Sequence, residues 1–379
     1  MEPAGSGDSL RVIIDDRALQ ALIDSLSAEG FAVIAPSVQD GTLTLQPITS
    51  VDELPAGVTD EHAGGRYRLH ADGGRHHFAY AATPQGFKRY LYPPAERLWR
   101  AKRDGTGYRI LPEEEPVPRY AFLGVRGCDL KAMAVLDVVF NHGRSAEARY
   151  VARRDRAFIV AVNCTHPGET CFCTSMGTGP AVGTGADLVL TELGANDAPC
   201  LLAEARSKAG RRLLARIGGR EAGPAEVDAV DAALAEAAMK IRRRMATDAA
   251  DVLKRNLEHR EWEKVAERCL GCANCTLVCP TCFCASVEDV TDLTATTAER
   301  WRRWDSCFTS DFSYLHGGSI RRSGMSRYRQ WITHKLSHWW QQFGSSGCVG
   351  CGRCITWCPV GIDITEEVQR IKESEGGLP

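Results

Sequence analysis

The sequence holds 379 residues, 44% of them hydrophobic, with a formal net charge of −2. That length accommodates two or three domains with real cores, and the near balance of charge leaves no bulk attraction for nucleic acid or an anionic membrane surface. The opening stretch MEPAGSGDSL has no basic and apolar leader and no twin arginine, and no apolar run approaches the roughly 20 residues that span a bilayer. A cytoplasmic protein with no membrane span is expected.

In chain order, the first hundred residues mix short strand-like runs (RVIID, RYRLH, HHFAYAAT) with Gly and Pro breaks and carry no assignable chemistry. From Tyr120 the pattern sharpens. AFLGV reads as a strand, RGCD as a turn and LKAMAVLDVVF as a helix with Asp129 as its N-cap; AFIVAVN, ending at Cys164, is a second strand. Strand, helix, strand implies parallel pairing with a right-handed crossover, which puts Cys128 and Cys164 at the carboxyl ends of the two strands. DLVLTEL and PCLLAEA add further strands. From Pro224 to Leu257 the chain is rich in Ala, Leu, Glu, Lys and Arg and lacks Gly, as one long helix or a helix pair would be. From Trp262 onward helices are expected between and after two cysteine runs. The fold class is therefore α+β: an α/β domain over residues 1–223, a helical connector over 224–258, and a mostly helical, ferredoxin-like domain over 259–379.

Sixteen cysteines in a reducing compartment are more readily metal ligands than disulfides, and six of them crowd into CLGCANCTLVCPTCFC, residues 269–284. Cys269, Cys272, Cys275 and Cys279-Pro280 follow C-x2-C-x2-C-x3-C-P, and Cys348, Cys351, Cys354 and Cys358-Pro359 repeat it. In bacterial ferredoxins three thiolates of each run cap one [4Fe–4S] cubane and the fourth reaches the other. The inferred pairing is Cys269, Cys272, Cys275 and Cys358 for one cluster, and Cys348, Cys351, Cys354 and Cys279 for the second. Zinc modules instead use two separated knuckles. Cys128, Cys164, Cys171 and Cys173 are candidates for a third iron–sulfur cluster, against the alternative that they are buried as small hydrophobes. Cys282, Cys284 and Cys307 read as packing around the first run, and Cys200 carries no signal. GTGPAVGTG, residues 177–185, departs from the dinucleotide fingerprint in spacing and contains Pro180, so it reads as a turn. The basic aromatic stretch at residues 318–340 reads as a helix packing its rings on the cluster domain while Arg and Lys stay wet or offset cluster charge. No histidine stands in a catalytic context, and no catalytic residue is assigned.

The segments PQGFKRYLYPPAERLWR, LGVRGCDLKAMAVLDVVF, NCTHPGETCFCTSMGTGP, CPTCFCASVEDVTD, RWDSC and CGRCITWCPVGIDIT together resemble the beta subunit of cytosolic sulfhydrogenases and the related A subunit of anaerobic sulfite reductase. The resemblance runs from about Pro84 to Thr365. It implies an electron-transfer subunit between an FAD- and NAD(P)-binding subunit and a catalytic subunit, with no catalysis by the chain alone. The wording of CGRCITWCPVGIDIT favours a nickel–iron hydrogenase as the catalytic partner; a sulfite reductase is the alternative.

Overall fold

The computed structural model describes residues 10–111, 116–194 and 199–375; most of the opening stretch, residues 1–9, lies outside them. The main strands are β1 (Arg11–Ile14), β2 (Ala32–Gln39), β3 (Thr42–Pro47), β4 (Val58–Ala63), β5 (Arg66–Ala71), β6 (Ala95–Asp104), β7 (Gly107–Leu111), β8 (Tyr120–Val125), β9 (Phe158–Val162), β10 (Leu188–Leu193), β11 (Cys200–Ala205), β12 (Arg220–Glu221), β13 (Ala285–Thr291) and β14 (Thr297–Trp304). Eight form one sheet in the order β12-β1-β11-β10-β9-β8-β2-β3. β2, β8, β9 and β10 run parallel at its centre, and the flanking pairs are antiparallel.

Parallel strands covered on both faces read as continuous apolar runs, and β9 is buried at all five positions. Its residues alternate between faces. Phe158, Val160 and Val162 share a core with Leu19, Leu22, Leu213 and Leu214 from the helices Asp16–Ala28 and Lys208–Ile217. Ile159 and Ala161 share the opposite core with Leu130, Met133 and Leu136 from the helix Gly127–Phe140. This places Cys128 in the first turn of a helix that leaves the carboxyl end of β8, and Cys164 just beyond β9.

The C-terminal region has its own core of Trp262, Val265, Tyr328, Trp331, Ile332, Leu336, Ile355, Val368 and Ile371, with cysteines of both runs packed against it. The connector resolves as a helix pair, Pro224–Lys240 and Ala249–Arg255. Among the described residues no helix is long and apolar enough to cross a membrane.

Three local expectations need correction. The segment between the cysteine runs is not helical throughout: β13 and β14 form a hairpin. Asp292 sets its turn by accepting from the N–H groups of Thr296 at 2.7 Å and Thr297 at 3.0 Å. The hairpin adds to β6 and β7 to give a four-stranded antiparallel sheet, β13-β14-β6-β7, whose partner strands lie far away in sequence. Secondly, Arg126 rather than Asp129 occupies the N-cap, because Asp129 is taken by an ion pair with Arg353 at 2.8 Å. Thirdly, HHFAYAAT is irregular and buried rather than a strand; Glu192 binds its backbone N–H groups at His77 and Phe78, and Arg126 binds its carbonyls at Phe78, Tyr80 and Ala81.

One carboxylate ties the two regions together. Glu96 of β6 is buried and pairs with Arg302 of β14 and with Arg153 of the helix Ala148–Asp155, both also buried. Removing it leaves Arg153, among the described residues, without a carboxylate in a low-dielectric setting and Arg302 with only Glu147 at 3.6 Å. Glu96→Ala should therefore cost about 3–5 kcal/mol in denaturant unfolding. A cost below about 1 kcal/mol, the range of an exposed pair, would contradict this assignment.

Candidate metal centres

The first run begins where the helix Glu261–Arg268 ends, with Cys269 as its C-cap. The chain then turns through Gly271 (φ 63°) and Ala273 (φ 65°) into the short helix Asn274–Leu277. This loop wraps Cys269, Cys272 and Cys275 around a cavity, and Cys358 from the second run lines the same cavity. Phe308, Tyr328, Trp331, Ile362 and Ile364 form much of its remaining wall, so water is largely kept out. Amide groups point at the sulfurs: Gly271 N–H to Cys269 Sγ at 3.4 Å and Ile362 N–H to Cys358 Sγ at 3.3 Å. Cys272 alone among the four is exposed.

The second run repeats this turn, with Gly350 N–H directed at Cys348 Sγ at 3.5 Å. Cys348, Cys351 and Cys354 lie with Cys279 of the first run as a second thiol set. Burial raises the Cys354 thiol well above its ordinary range, with Cys348, Cys351 and Cys279 adding to the rise. Cys275 is raised in the same way, by burial first and then by Cys269, Cys358 and Cys272. Thiols that raise one another cannot all ionise without a cationic centre between them, and an iron–sulfur core supplies one. Among the described residues no three His, Cys, Asp or Glu side chains converge closely enough to hold a single ion. The first set, and the third described below, line cavities instead, a disposition suited to a polynuclear group.

A third set lies on the α/β region. Cys128, Cys164, Cys171 and Cys173 line one cavity together with Pro167, Pro180 and Cys351 of the second run. All four thiols are pushed upward, mainly by burial, that of Cys173 to about 12. The glycine-rich turn contributes Gly179 and Pro180 to this wall. Cys354 lines the first cavity and Cys351 the third, so the set of Cys279, Cys348, Cys351 and Cys354 lies between the other two.

Of the remaining cysteines, Cys282 acts electrostatically on Cys279, Cys284 and Cys307 act on each other, and Cys200 lies apart at the start of β11. Sequence reasoning missed the individual buried cations. Lys335, within the basic aromatic stretch, reaches Cys279 Sγ at 3.2 Å, and Arg353, inside the second run, pairs with Asp129. The position of Arg353 between two candidate ligands gave no signal of burial, since Leu270, between Cys269 and Cys272, is exposed.

A family model described as a 4Fe-4S dicluster domain matches residues 268–362. The chain is 30% identical over 310 residues to the beta subunit of sulfhydrogenase 2 from Pyrococcus furiosus, an alignment covering 78% of this chain and 85% of the relative. No solved structure matches.

The second run docks by backbone contact. A Cβ on Gly352 (φ 73°) would lie 2.4 Å from the carbonyl oxygen of Thr170, whereas one on Gly41 (φ 70°) would meet nothing. Gly41→Ala thus isolates the cost of left-handed backbone, about 1–2 kcal/mol. Gly352→Ala should cost about 3 kcal/mol or more, because overpacking adds to that strain. Equal losses in unfolding measurements would show that the close approach is not present.

Proposed function

The chain belongs to the family of sulfhydrogenase beta subunits, iron–sulfur electron-transfer proteins, and on that premise we propose that it relays electrons through three [4Fe–4S] clusters between an FAD- and NAD(P)-binding subunit and a nickel–iron hydrogenase subunit. The observation that carries this reading is the crossing of the runs. Cys358 lines the cavity of Cys269, Cys272 and Cys275, while Cys279 lies with Cys348, Cys351 and Cys354. The ligand sets we propose for the first two clusters follow from it. The cavity shared by Cys128, Cys164, Cys171 and Cys173 supports the third.

Bound clusters of this type supply one-electron exchange with little movement of their ligands, over potentials of about −700 to +450 mV. The chain's own part is to hold the thiolates apart at fixed positions, direct amide N–H groups at their sulfurs, and wall them with aromatic side chains against water. The exposed Cys272 and Leu270 bring the first set to the surface, the natural point of exchange with a partner. Cys351 and Cys354 put the middle set against the third and the first cavity respectively. With no catalytic constellation assigned, the chain alone should turn over neither hydrogen nor sulfur compounds. The choice of hydrogenase partner rests on the relative being a sulfhydrogenase subunit over most of its length.

Anaerobically reconstituted protein should bind about twelve iron atoms with matching acid-labile sulfide, falling towards about eight in Cys128→Ser. Zinc without sulfide would overturn the relay. On the crossing, electron paramagnetic resonance should show Cys269→Ser and Cys358→Ser damaging one cluster and Cys279→Ser another. If Cys269→Ser and Cys279→Ser struck the same signal and Cys358→Ser spared it, each run would hold its own cluster.

A further inference from the structure

Two buried lysines converge on Cys279, Lys335 on its sulfur and Lys88 on its carbonyl. Lys335 stands on a π-helical turn, His334–His338, inserted between the helices Gly324–Thr333 and Trp339–Phe343; such turns recur at functional sites because they re-aim a side chain within a helix. Its Nζ donates to Cys279 Sγ at 3.2 Å, to Thr281 Oγ1 at 2.8 Å and to the carbonyl oxygen of Gly347 at 3.0 Å. The Thr281 hydroxyl donates its own O–H to the same carbonyl at 2.7 Å, leaving a lone pair for the lysine. Three acceptors thus meet the three N–H bonds of an ammonium. Lys88 donates to the carbonyl oxygens of Cys279 at 3.0 Å and Cys282 at 2.9 Å, and its Nζ lies 3.9 Å from the centre of the Trp304 ring.

The acceptors of these two ammonium groups, among the described residues, are sulfur, hydroxyl and carbonyl, with no carboxylate. Both lysines are buried. Isolated buried charges are costly, and the anion at hand is the thiolate set itself. Arg353, the nearby guanidinium, is already balanced by Asp129. The first thiol set differs: apart from its cysteines, its cavity is walled by apolar and aromatic side chains.

Resting on the cluster reading above, we propose that Lys335, assisted by Lys88, acts through Cys279 to raise the reduction potential of the middle cluster above that of the surface cluster at Cys269, Cys272, Cys275 and Cys358. A positive charge and an N–H donor on a ligand sulfur favour the more negative, reduced state. An electron entering at the exposed end then runs downhill to the middle of the chain, and the return step is uphill. Lys335 is a positioning residue for charge and takes no part in bond making.

The test is potentiometric titration of the anaerobically prepared chain, followed by paramagnetic resonance, for the wild type, Lys335→Gln, Lys335→Met and Lys88→Met. The signal that Cys279→Ser abolishes should titrate at a lower potential in both Lys335 variants and by a smaller shift in Lys88→Met, while the signal that Cys269→Ser abolishes stays in place. Gln keeps a donor without the charge, so a shift there is electrostatic. Should the Lys335 variants fail to load iron at the middle set, Lys88→Met decides. An unmoved midpoint in a fully loaded variant, or equal shifts in both signals, would overturn the proposal. Wild-type protein without iron and sulfide would refute the cluster reading; normal loading without a shift refutes the role of Lys335 alone.

Discussion

The arrangement depends on a backbone-to-backbone contact between the second cysteine run and the loop that carries Cys171 and Cys173. Phe172 N–H donates to the carbonyl oxygen of Gly350 at 2.8 Å, and a Cβ on Gly350 would lie 2.7 Å from the carbonyl oxygen of Phe172. Side chains at Gly350 or Gly352 would hold the two loops apart. With glycine there, Cys351 reaches the wall of the third cavity while Cys354 stays on the first. One strip of chain thereby touches all three thiol sets and puts them in sequence.

Charge balance is the second constraint, and it is met differently at each point. Between Cys128 and Cys351 the Arg353–Asp129 pair is buried and internally neutral, and Arg353 Nε also donates to the Thr83 carbonyl at 2.7 Å. Such a pair costs desolvation and contributes position rather than net stability. Around Cys279 the lysines have no carboxylate among the described residues, so their compensation has to come from the sulfur ligands. Folding of the middle region is thereby coupled to filling the site: without a cationic core burial keeps Cys348, Cys351 and Cys354 protonated, and Cys279, held below the usual thiol range by Cys282 and Lys335, is the one thiolate of the set left to face the lysines.

Much of this could be read from the sequence where local geometry decides. The continuous apolar run of AFIVAVN marks a strand buried on both faces, and β9 is one. The C-x2-C-x2-C spacing dictates a tight loop, since each ligand must return to the same side after two residues; the loops at Gly271 and Gly350 make the same left-handed turn. Non-local pairing was opaque. Nothing in SVEDVTDLTATTAERWRRW announces that its hairpin completes a sheet with residues 95–111, because that register is set by Glu96, Arg302 and Arg153 in three separate segments. Lys335 was hidden because, in a stretch of mixed cations and rings, the one Lys or Arg that is buried is selected by a π-helical turn with no strong sequence mark. Asp129 looked like a cap since short polar residues favour that position, and it was claimed instead by a guanidinium from the far end of the chain.

The most direct test of the linear arrangement is magnetic coupling between clusters in the fully reduced protein, read by paramagnetic resonance at more than one frequency. With the middle thiol set sharing walls with both neighbours, the reduced spectrum should be split and broadened by spin–spin interaction, and removing the middle cluster through Cys348→Ser should collapse it to two simple, non-interacting signals. Uncoupled signals in the fully loaded wild type, unchanged by loss of the middle cluster, would contradict it.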